Sequence, residues 1–526
     1  MENCTEEMKI IDTSTFSFPK VIENDFLYVD KTEYVWKLVR RRGGAYFLSR
    51  PRRFGKSLFL STLKAVFEGR RDLFRGLAMD KVDYDWQEYP VIHLDFCDAG
   101  LSNLREFRIY LWSTLDDISK QTGVPYTRST IAKSFCDLIQ GIASKGKKVV
   151  LLVDEYDKPI LDNITSPHIQ EILKLFKNFY GVIKRCEAYI RFAFITGVSK
   201  FSRVSLFSDL NNLVDLTLDP DFAGMLGFTE AEIREYYADD FPVAAKENNC
   251  SEEELMRRLL FWYDGYRFSK AEIHVCNPVS ISRFFDMHYI FSCYWDETGT
   301  PRFLIDLAGK QDYDYEEELA KFHDERILSA YDYNHLDVTG MLWQTGYLTI
   351  KEVSTNFLGS LEYRLDFPDF EVHGSFCARL MEFYCKLSKG SGGILANGLY
   401  KAIQNDDLNG FMTQFQTFLA GIKYELHLPY EKYYQTIFFV VFRMLGISID
   451  VESHTNEGSI DAYIRTEKKI YIFEFKLNKS PESAIGQILD RRYYEKFRNE
   501  GLPIVLVGAN FDMSKGRLDS WGETTI

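Results

Sequence analysis

The chain has 526 residues, enough for roughly three to four domains. Its composition, 46% hydrophobic and 15% aromatic, builds large cores and excludes global disorder. The net charge of −14 argues against non-specific coating of nucleic acid or anionic membrane, while leaving room for a local basic groove. The nine cysteines form no C-x-x-C and no Cys/His spacing. They read as reduced core residues of a cytoplasmic protein, not as a zinc site or disulfide framework. The opening MENCTEEMKI lacks the apolar core of a signal peptide, and runs such as VVLLV are too short to cross a bilayer, so no membrane partner is expected.

The first region, 1–215, alternates apolar runs with amphipathic stretches. AYFL (45–48), PVIHLDF (90–96), KVVLLVDE (148–155) and YIRFAFITG (189–197) read as strands. The alternation predicts a parallel sheet flanked by helices. Between the first two strands stands SRPRRFGKSLFLSTL, with Gly55-Lys56-Ser57 at its centre. The phosphate-loop pattern G-x-x-x-x-G-K-[ST] wants a glycine where Arg50 stands. A bare G-K-[ST] arises by chance in about one chain in four of this length, so context decides. Here a strand precedes it, and Phe59, Leu63, Val66 and Phe67 give the following stretch a helical period. A helix N-terminus offers unpaired N–H groups and a positive dipole to phosphate. Lys56 would reach the β- and γ-phosphates of ATP, and the Ser57 hydroxyl would hold Mg²⁺. The run VVLLVDEYD delivers Asp154 and Glu155 to a strand tip. There Asp154 would hold the magnesium and Glu155 would polarise the attacking water, the Walker B arrangement.

The middle, 216–390, is less regular. TEAEIREYYADDF (229–241) and SEEELMRRLLFWY (251–263) each open on a Ser/Thr cap followed by acids, as helices do. The pattern suits a helical lid or a winged-helix module. RPRRFGKS, LLVDEYDKPI and FAFITGVSKFSRVSLFSDLNNL, with WYDGYRF (262–268), NPVS (277–280) and LWQTGYLTI (342–350), resemble the bacterial AAA-ATPase-like family over residues 8 to 390. That family carries R-P-R-R-F-G-K-S as its variant loop, so the resemblance makes the missing glycine part of a pattern. It implies an ATPase module. Arg52 and Arg53 either add charge to the phosphate cradle, the preferred reading, or are simply solvated. The resemblance also implies that Thr196 and Ser199 hold the sensor position, with Arg203 as a sensor or finger arginine. A capped loop bearing a surface arginine explains the last three equally well.

The last region, 391–526, follows the small-residue stretch KGSGG (389–393), which predicts a flexible linker. Helical stretches at 408–422 and 430–446 lead to GSIDAYIR, a TEKK turn, KIYIFEFKL, SPESAIGQILDRRYYEKF and PIVLVGANF. These read as helix, hairpin, helix, strand. In IYIFEFKL, Glu474 and Lys476 share one strand face, while Tyr471, Phe473, Phe475 and Leu477 share the other. Two charges in an otherwise apolar strand are costly unless paired or bound to metal. With Asp461 on the neighbouring strand, two carboxylates would make a hard-oxygen site for Mg²⁺ or Mn²⁺. The order G-x-x-D…E-x-K resembles the PD-(D/E)XK nuclease superfamily over residues 395 to 526. The resemblance implies that Asp461 and Glu474 hold the metal and Lys476 assists the attacking water. Gln487 then supports the site, with Arg491 and Tyr494 on its helix face, and Glu431, or its rival Glu452, adds an acid. The alternative is a half-buried Glu–Lys pair bracing a hairpin.

The expected fold is therefore a multidomain α/β chain. It comprises a P-loop NTPase parallel sheet (1–215), a helical or winged-helix middle (216–390) and a PD-(D/E)XK-like α/β domain (391–526). The expected activity is an ATPase coupled to a divalent-metal-dependent nuclease, a hydrolase acting on DNA or RNA. The alternative is a nucleotide-gated binding module with an inactive nuclease fold. Self-association stays open.

Overall fold

The computed structural model describes residues 9–40, 44–97, 103–164, 166–200, 212–295, 304–305, 307–308, 313, 315–329, 337–384, 388, 391–421, 441, 453–455, 458–460, 462–466, 468–512 and 517–526. Five parallel strands, β1 (Ala45–Ser49), β2 (Val91–Asp95), β3 (Val149–Asp154), β4 (Ile190–Gly197) and β5 (Leu213–Asp215), form one sheet in the order β2-β3-β4-β1-β5. Every residue of β1 and β3 is buried, because helices cover both faces of a parallel sheet. Strand β5, only three residues long, carries no alternation that the sequence could announce.

The helices begin where polar caps stand. Asn103 accepts from the Glu106 N–H at 3.0 Å ahead of Leu104–Thr122, and Thr130 accepts from the Lys133 N–H at 3.2 Å ahead of Ile131–Ala143. The register sets Ser49 beside Gly197 and Asp95 beside Asp154. Strand β4 lies between β1 and β3. The loop after β1, the turn after β3 and the end of β4 therefore meet at one sheet edge.

The expected caps Thr229 and Ser251 open helices Glu230–Tyr236 and Glu252–Tyr263, and Thr229 forms a full capping box with Glu232. The first helix stops short of the expected 241. A second one, Phe241–Glu247, restarts with Pro242 in its first turn, because a proline has no N–H to extend a preceding helix but is tolerated where a helix begins. Later, helix Val338–Thr345 ends on Gly346 (φ 89°). Beside it β6 (Phe322–Asp324), β7 (Thr349–Thr355) and β8 (Leu361–Asp366) make an antiparallel sheet in the order β6-β8-β7. The middle is thus helical, with one small sheet.

The described chain packs as two compact units, one of Met1–Trp295 with Phe322–Asp369, the other of Asp296–Lys321 with Phe370–Ile526. The division falls at Asp369/Phe370. Ser391, Gly392 and Gly393, expected in a linker, open helix Ser391–Gln404. The second unit also holds helices Phe370–Tyr384 and Leu408–Gly421, and a β9 (Ser453–Thr455)–β10 (Gly458–Ile460) pair. Its main sheet runs β11 (Ala462–Arg465), β12 (Ile470–Leu477), β13 (Ile504–Asp512), β14 (Arg517–Thr525) in that order. Strand β14, absent from the sequence reading, pairs antiparallel with β13. Its RLDSWGETT is too polar to advertise a strand. Strands β12 and β13 are parallel, and helix Pro481–Asp490 lies in the connection between them. Gly508 of β13 admits this helix, since a Cβ there would lie 2.2 Å from the Pro481 carbonyl oxygen. The expected helix at 430–446 lies outside the described residues apart from Val441.

Candidate functional site

The loop 50–55 joins β1 to helix Lys56–Phe67. Gly55 stands at the helix N-cap with φ 86°, and no atom lies within 4 Å of where its Cβ would stand. Backbone conformation, not crowding, demands glycine here. The buried Lys56 ammonium donates to the carbonyls of Arg50 (3.0 Å) and Pro51 (2.9 Å). Burial pulls its pKa down, while Glu155, Asp154 and Asp157 hold it up.

Across the sheet edge, Asp154 is 2% exposed, and the Ser57 side chain lies close enough to act on its carboxyl. Burial raises its carboxyl pKa to about 6, against the opposing pull of Ser57 and Lys56. Asp95 and Glu155 add to the rise. Glu155 adopts φ 45°, a conformation that costs a non-glycine residue about 1–2 kcal/mol, and its N–H donates to Asp154 Oδ1 at 3.0 Å. Such strain concentrates where a side chain must be aimed.

At the end of β4, Thr196 is fully buried and its hydroxyl has no hydrogen-bond partner among the described residues. Ser199 is committed elsewhere. Its N–H and hydroxyl both donate to the buried Asp157, at 2.6 and 2.5 Å, and burial pushes the pKa of that carboxyl up. The Arg53 guanidinium donates to the Tyr294 carbonyl from a backbone at φ 66°. That contact points away from the cradle the sequence assigned to it. Arg52 is half-buried, and its charge acts on Lys56.

In the second unit the two faces of β12 separate as expected. Ile470 and Ile472 enter a core with Tyr463, Ile488, Tyr493, Phe497, Ile504 and Leu506, while Phe473 packs on Phe411 at 5.9 Å. On the first of those faces Lys476 Nζ donates to Glu474 Oε1 at 2.8 Å and to Gln487 Oε1 at 2.6 Å. The Glu474 side chain is 2% exposed and that of Lys476 17%.

Residues 13–207 match the family described as Predicted AAA-ATPase, and residues 429–521 match the PD-(D/E)XK nuclease superfamily. An uncharacterized protein in the vnfD 5′ region of Azotobacter chroococcum mcd 1 is 35% identical over 508 residues, covering 94% of this chain and 95% of that protein. The chain belongs to this AAA-ATPase-like family with a C-terminal PD-(D/E)XK domain. Among solved structures, the Aeropyrum pernix ORC1 protein in complex with DNA is 10% identical, with 66% of this chain and 93% of that chain covered at a TM-score of 0.25. Cdc6p from Pyrobaculum aerophilum is 10% identical, with 68% and 93% covered at 0.24. Likenesses at that level leave the fold to be read from the chain's own strand order.

In this AAA-ATPase-like protein the structure gathers Gly55, Lys56, Ser57, Asp154, Glu155 and Thr196 at one edge, and Glu474, Lys476 and Gln487 at another. Arg203, Asp461, Glu431 and Glu452 lie outside the described residues. Among the described residues, no three His, Cys, Asp or Glu side chains converge as a metal would need. Arg491 and Tyr494 do not share a helix face with Gln487. The helix ends at Asp490, Arg492 turns to φ 53°, and Tyr494 lies in the 3-10 segment Tyr493–Glu500. Two residues went unnoticed in the sequence. Asp95 stands opposite Asp154, and its signal was present, since VIHLD, like VVLLVD, ends a strand of the parallel sheet on an acid. Asp157 anchors Ser199, and no local pattern announces a contact 42 residues away.

Proposed function

We propose that the chain binds ATP with Mg²⁺ at the edge formed by β1, β3 and β4 and hydrolyses it, and that this nucleotide cycle governs a metal-dependent nuclease domain acting on nucleic-acid phosphodiesters. The observation that carries the reading is the approach of the Ser57 side chain, at the start of the loop helix, to the buried Asp154 carboxyl at the tip of β3, close enough to pull that carboxyl's pKa down. It brings together the two oxygen donors that a phosphate-bound magnesium requires. The orphaned Thr196 hydroxyl beside them favours the same fit. Ser57 and Asp154 would hold the ion, which neutralises phosphate charge when bound. Lys56 and the first-turn N–H groups would bind the phosphates. Glu155 would orient and deprotonate water, and Thr196 would hold that water or the terminal phosphate. Arg52 would add charge to the cradle, whereas Arg53, engaged by Tyr294, would act through the loop backbone. Arg203 stays a candidate finger arginine.

In the second unit, Asp461 and Glu474 would hold Mg²⁺ or Mn²⁺, with Lys476 offsetting charge on the attacked phosphate and Gln487 fixing the lysine. One observation favours the rival reading, a nucleotide-gated module with an inactive nuclease fold. Lys476 is engaged by both Glu474 and Gln487, as a structural brace would be. The test is purified protein with linear and circular DNA and with RNA, with and without ATP, in Mg²⁺, Mn²⁺, Ca²⁺ or EDTA. Cleavage that needs Mg²⁺ or Mn²⁺ and responds to ATP supports the nuclease. ATP binding with no cleavage under any metal leaves the gated module.

A further inference from the structure

The pentapeptide Arg50–Phe54 has two sides. Its backbone carbonyls at Arg50 and Pro51 receive the Lys56 ammonium. The side chains of Arg50, Pro51, Arg53 and Phe54 turn instead to residues far along the chain. Arg50, 1% exposed, donates from Nη1 to the carbonyls of Ser49 and Thr217, both at 2.9 Å, and its guanidinium lies 4.2 Å from the centre of the Phe268 ring. Pro51 packs on Gly346 so closely that a Cβ at 346 would come within 2.5 Å of it. Arg53 donates to the Tyr294 carbonyl. Phe54 sits edge-on to Tyr266 at 4.7 Å and to Phe268 at 5.4 Å, and the Tyr266 hydroxyl donates to the Gly346 carbonyl at 3.1 Å.

A charge buried among carbonyls and one aromatic face, with no carboxylate among the described residues in direct contact, is an expensive arrangement to keep for packing alone. Asp215, the acid that acts on Arg50 electrostatically, is itself paired with Lys200.

We infer that Arg50 is a positioning residue for nucleotide binding. It fixes the backbone that holds Lys56, and it does so by tying that backbone to Thr217 and Phe268, so phosphate affinity depends on the packing of residues 266–268, 294 and 346. The inference rests on the proposed ATP site. It explains why an arginine serves where the general pattern has glycine. The loop is set here by long-range packing of its side chains, not by backbone freedom. By linkage, nucleotide on one side of the loop and the packing of Phe268 on the other must influence each other equally.

The test is a titration of wild type, Arg50→Met, Arg50→Lys, Phe268→Leu and Gly346→Ala with a fluorescent ATP analogue and Mg²⁺, with steady-state ATPase rates and melting with and without ATP. Arg50→Met and Phe268→Leu should each raise the dissociation constant about tenfold or more, by loss of one of the stronger contacts that set the loop. The KM should rise while kcat holds, and the ATP-induced rise in melting temperature should shrink. The double variant should lose less than the product of the two single losses. Arg50→Lys should recover part of the affinity, and Gly346→Ala should weaken binding although residue 346 has no place in the phosphate site. If Arg50→Met fails to fold, Phe268→Leu and Gly346→Ala carry the test. Folded variants that bind within twofold of wild type, or single effects that multiply independently, overturn the inference alone. A wild type that binds no nucleotide overturns the ATP site and this inference with it.

Discussion

The two candidate sites use the same residue types in opposite ways. At the edge of the parallel sheet, Lys56 gives its ammonium to two backbone carbonyls, and the acids Asp154 and Glu155 stand near it. On β12, Lys476 gives its ammonium directly to Glu474 and to Gln487. The first lysine is set by a loop and its acids by a different strand, so the group proposed to bind phosphate and the groups proposed to serve metal and water are built independently. The second lysine and its acid are two residues apart on one strand, so each is the other's counter-charge. A lysine that neutralises its own metal ligand needs a further acid to make an ion site, which is the part assigned to Asp461. A lysine held by carbonyls needs none.

The sharpest way to break the comparison is to remove Glu474. In Glu474→Ala, Lys476 loses its counter-ion in a mostly buried position, and breaking such a pair costs about 3–5 kcal/mol. Its melting temperature should fall well below that of wild type, and metal-dependent cleavage should drop to background. The double change Glu474→Gln with Lys476→Met should recover most of the stability and none of the cleavage. A single variant that melts like wild type would mean the pair is not what holds this strand. The next effect should come from Lys56→Ala. Loss of the principal phosphate counter-charge should weaken ATP binding about a hundredfold or more, measured by equilibrium titration, with a smaller cost in stability than at Glu474 because no acid is left in a direct ion pair. Undiminished affinity would remove the phosphate site.

Asp154 sharpens the contrast by its pH dependence. Its carboxyl pKa in the fold is about 6, against 3.8 ordinarily. A raised acid pKa means that stability is greatest below the unfolded value and is lost as pH rises through the folded one, by up to about 3 kcal/mol for a shift of this size. Asp154→Asn should therefore melt higher than wild type at pH 8 without metal, and as wild type does near pH 4. It should bind Mg²⁺-ATP more weakly at every pH above about 6. A lower melting point at pH 8 would contradict the burial argument. The smallest effect is expected at Thr196. Replacing its unpartnered hydroxyl by a methyl in Thr196→Val should stabilise the fold by about 1 kcal/mol and slow ATP turnover about tenfold. Turnover equal to wild type would leave the threonine a core residue.

Much of both regions was legible from residues close in sequence. The strands AYFLS and VVLLVD announce themselves because a strand buried on both faces must be apolar, and VIHLD and IRFAFITG do so by their β-branched and aromatic residues. Gly55-Lys56-Ser57 and Asp154-Glu155 stood out as candidates because phosphate and metal chemistry would demand those residue types at a loop and at a strand tip. The face shared by Glu474 and Lys476 follows from the period of two along a strand. What the sequence could not decide is what depends on contacts between distant segments. The burial of Arg50 against Thr217 and Phe268, the capture of Arg53 by Tyr294 and the commitment of Ser199 to Asp157 each join residues 42 to 241 positions apart, or stack a ring on a charge. Charged residues look solvated in a sequence, because their local pattern carries no sign of the distant carbonyls that make burial affordable. Likewise RLDSWGETT becomes a strand only because β13 presents an unpaired edge to it, and Ser391–Gly393 becomes helix rather than linker because tertiary packing outweighs the weak propensity of glycine. Local chemistry thus determined the elements and the reactive residues, and only the tertiary structure decided which side of each loop faces the chemistry and which faces the rest of the molecule.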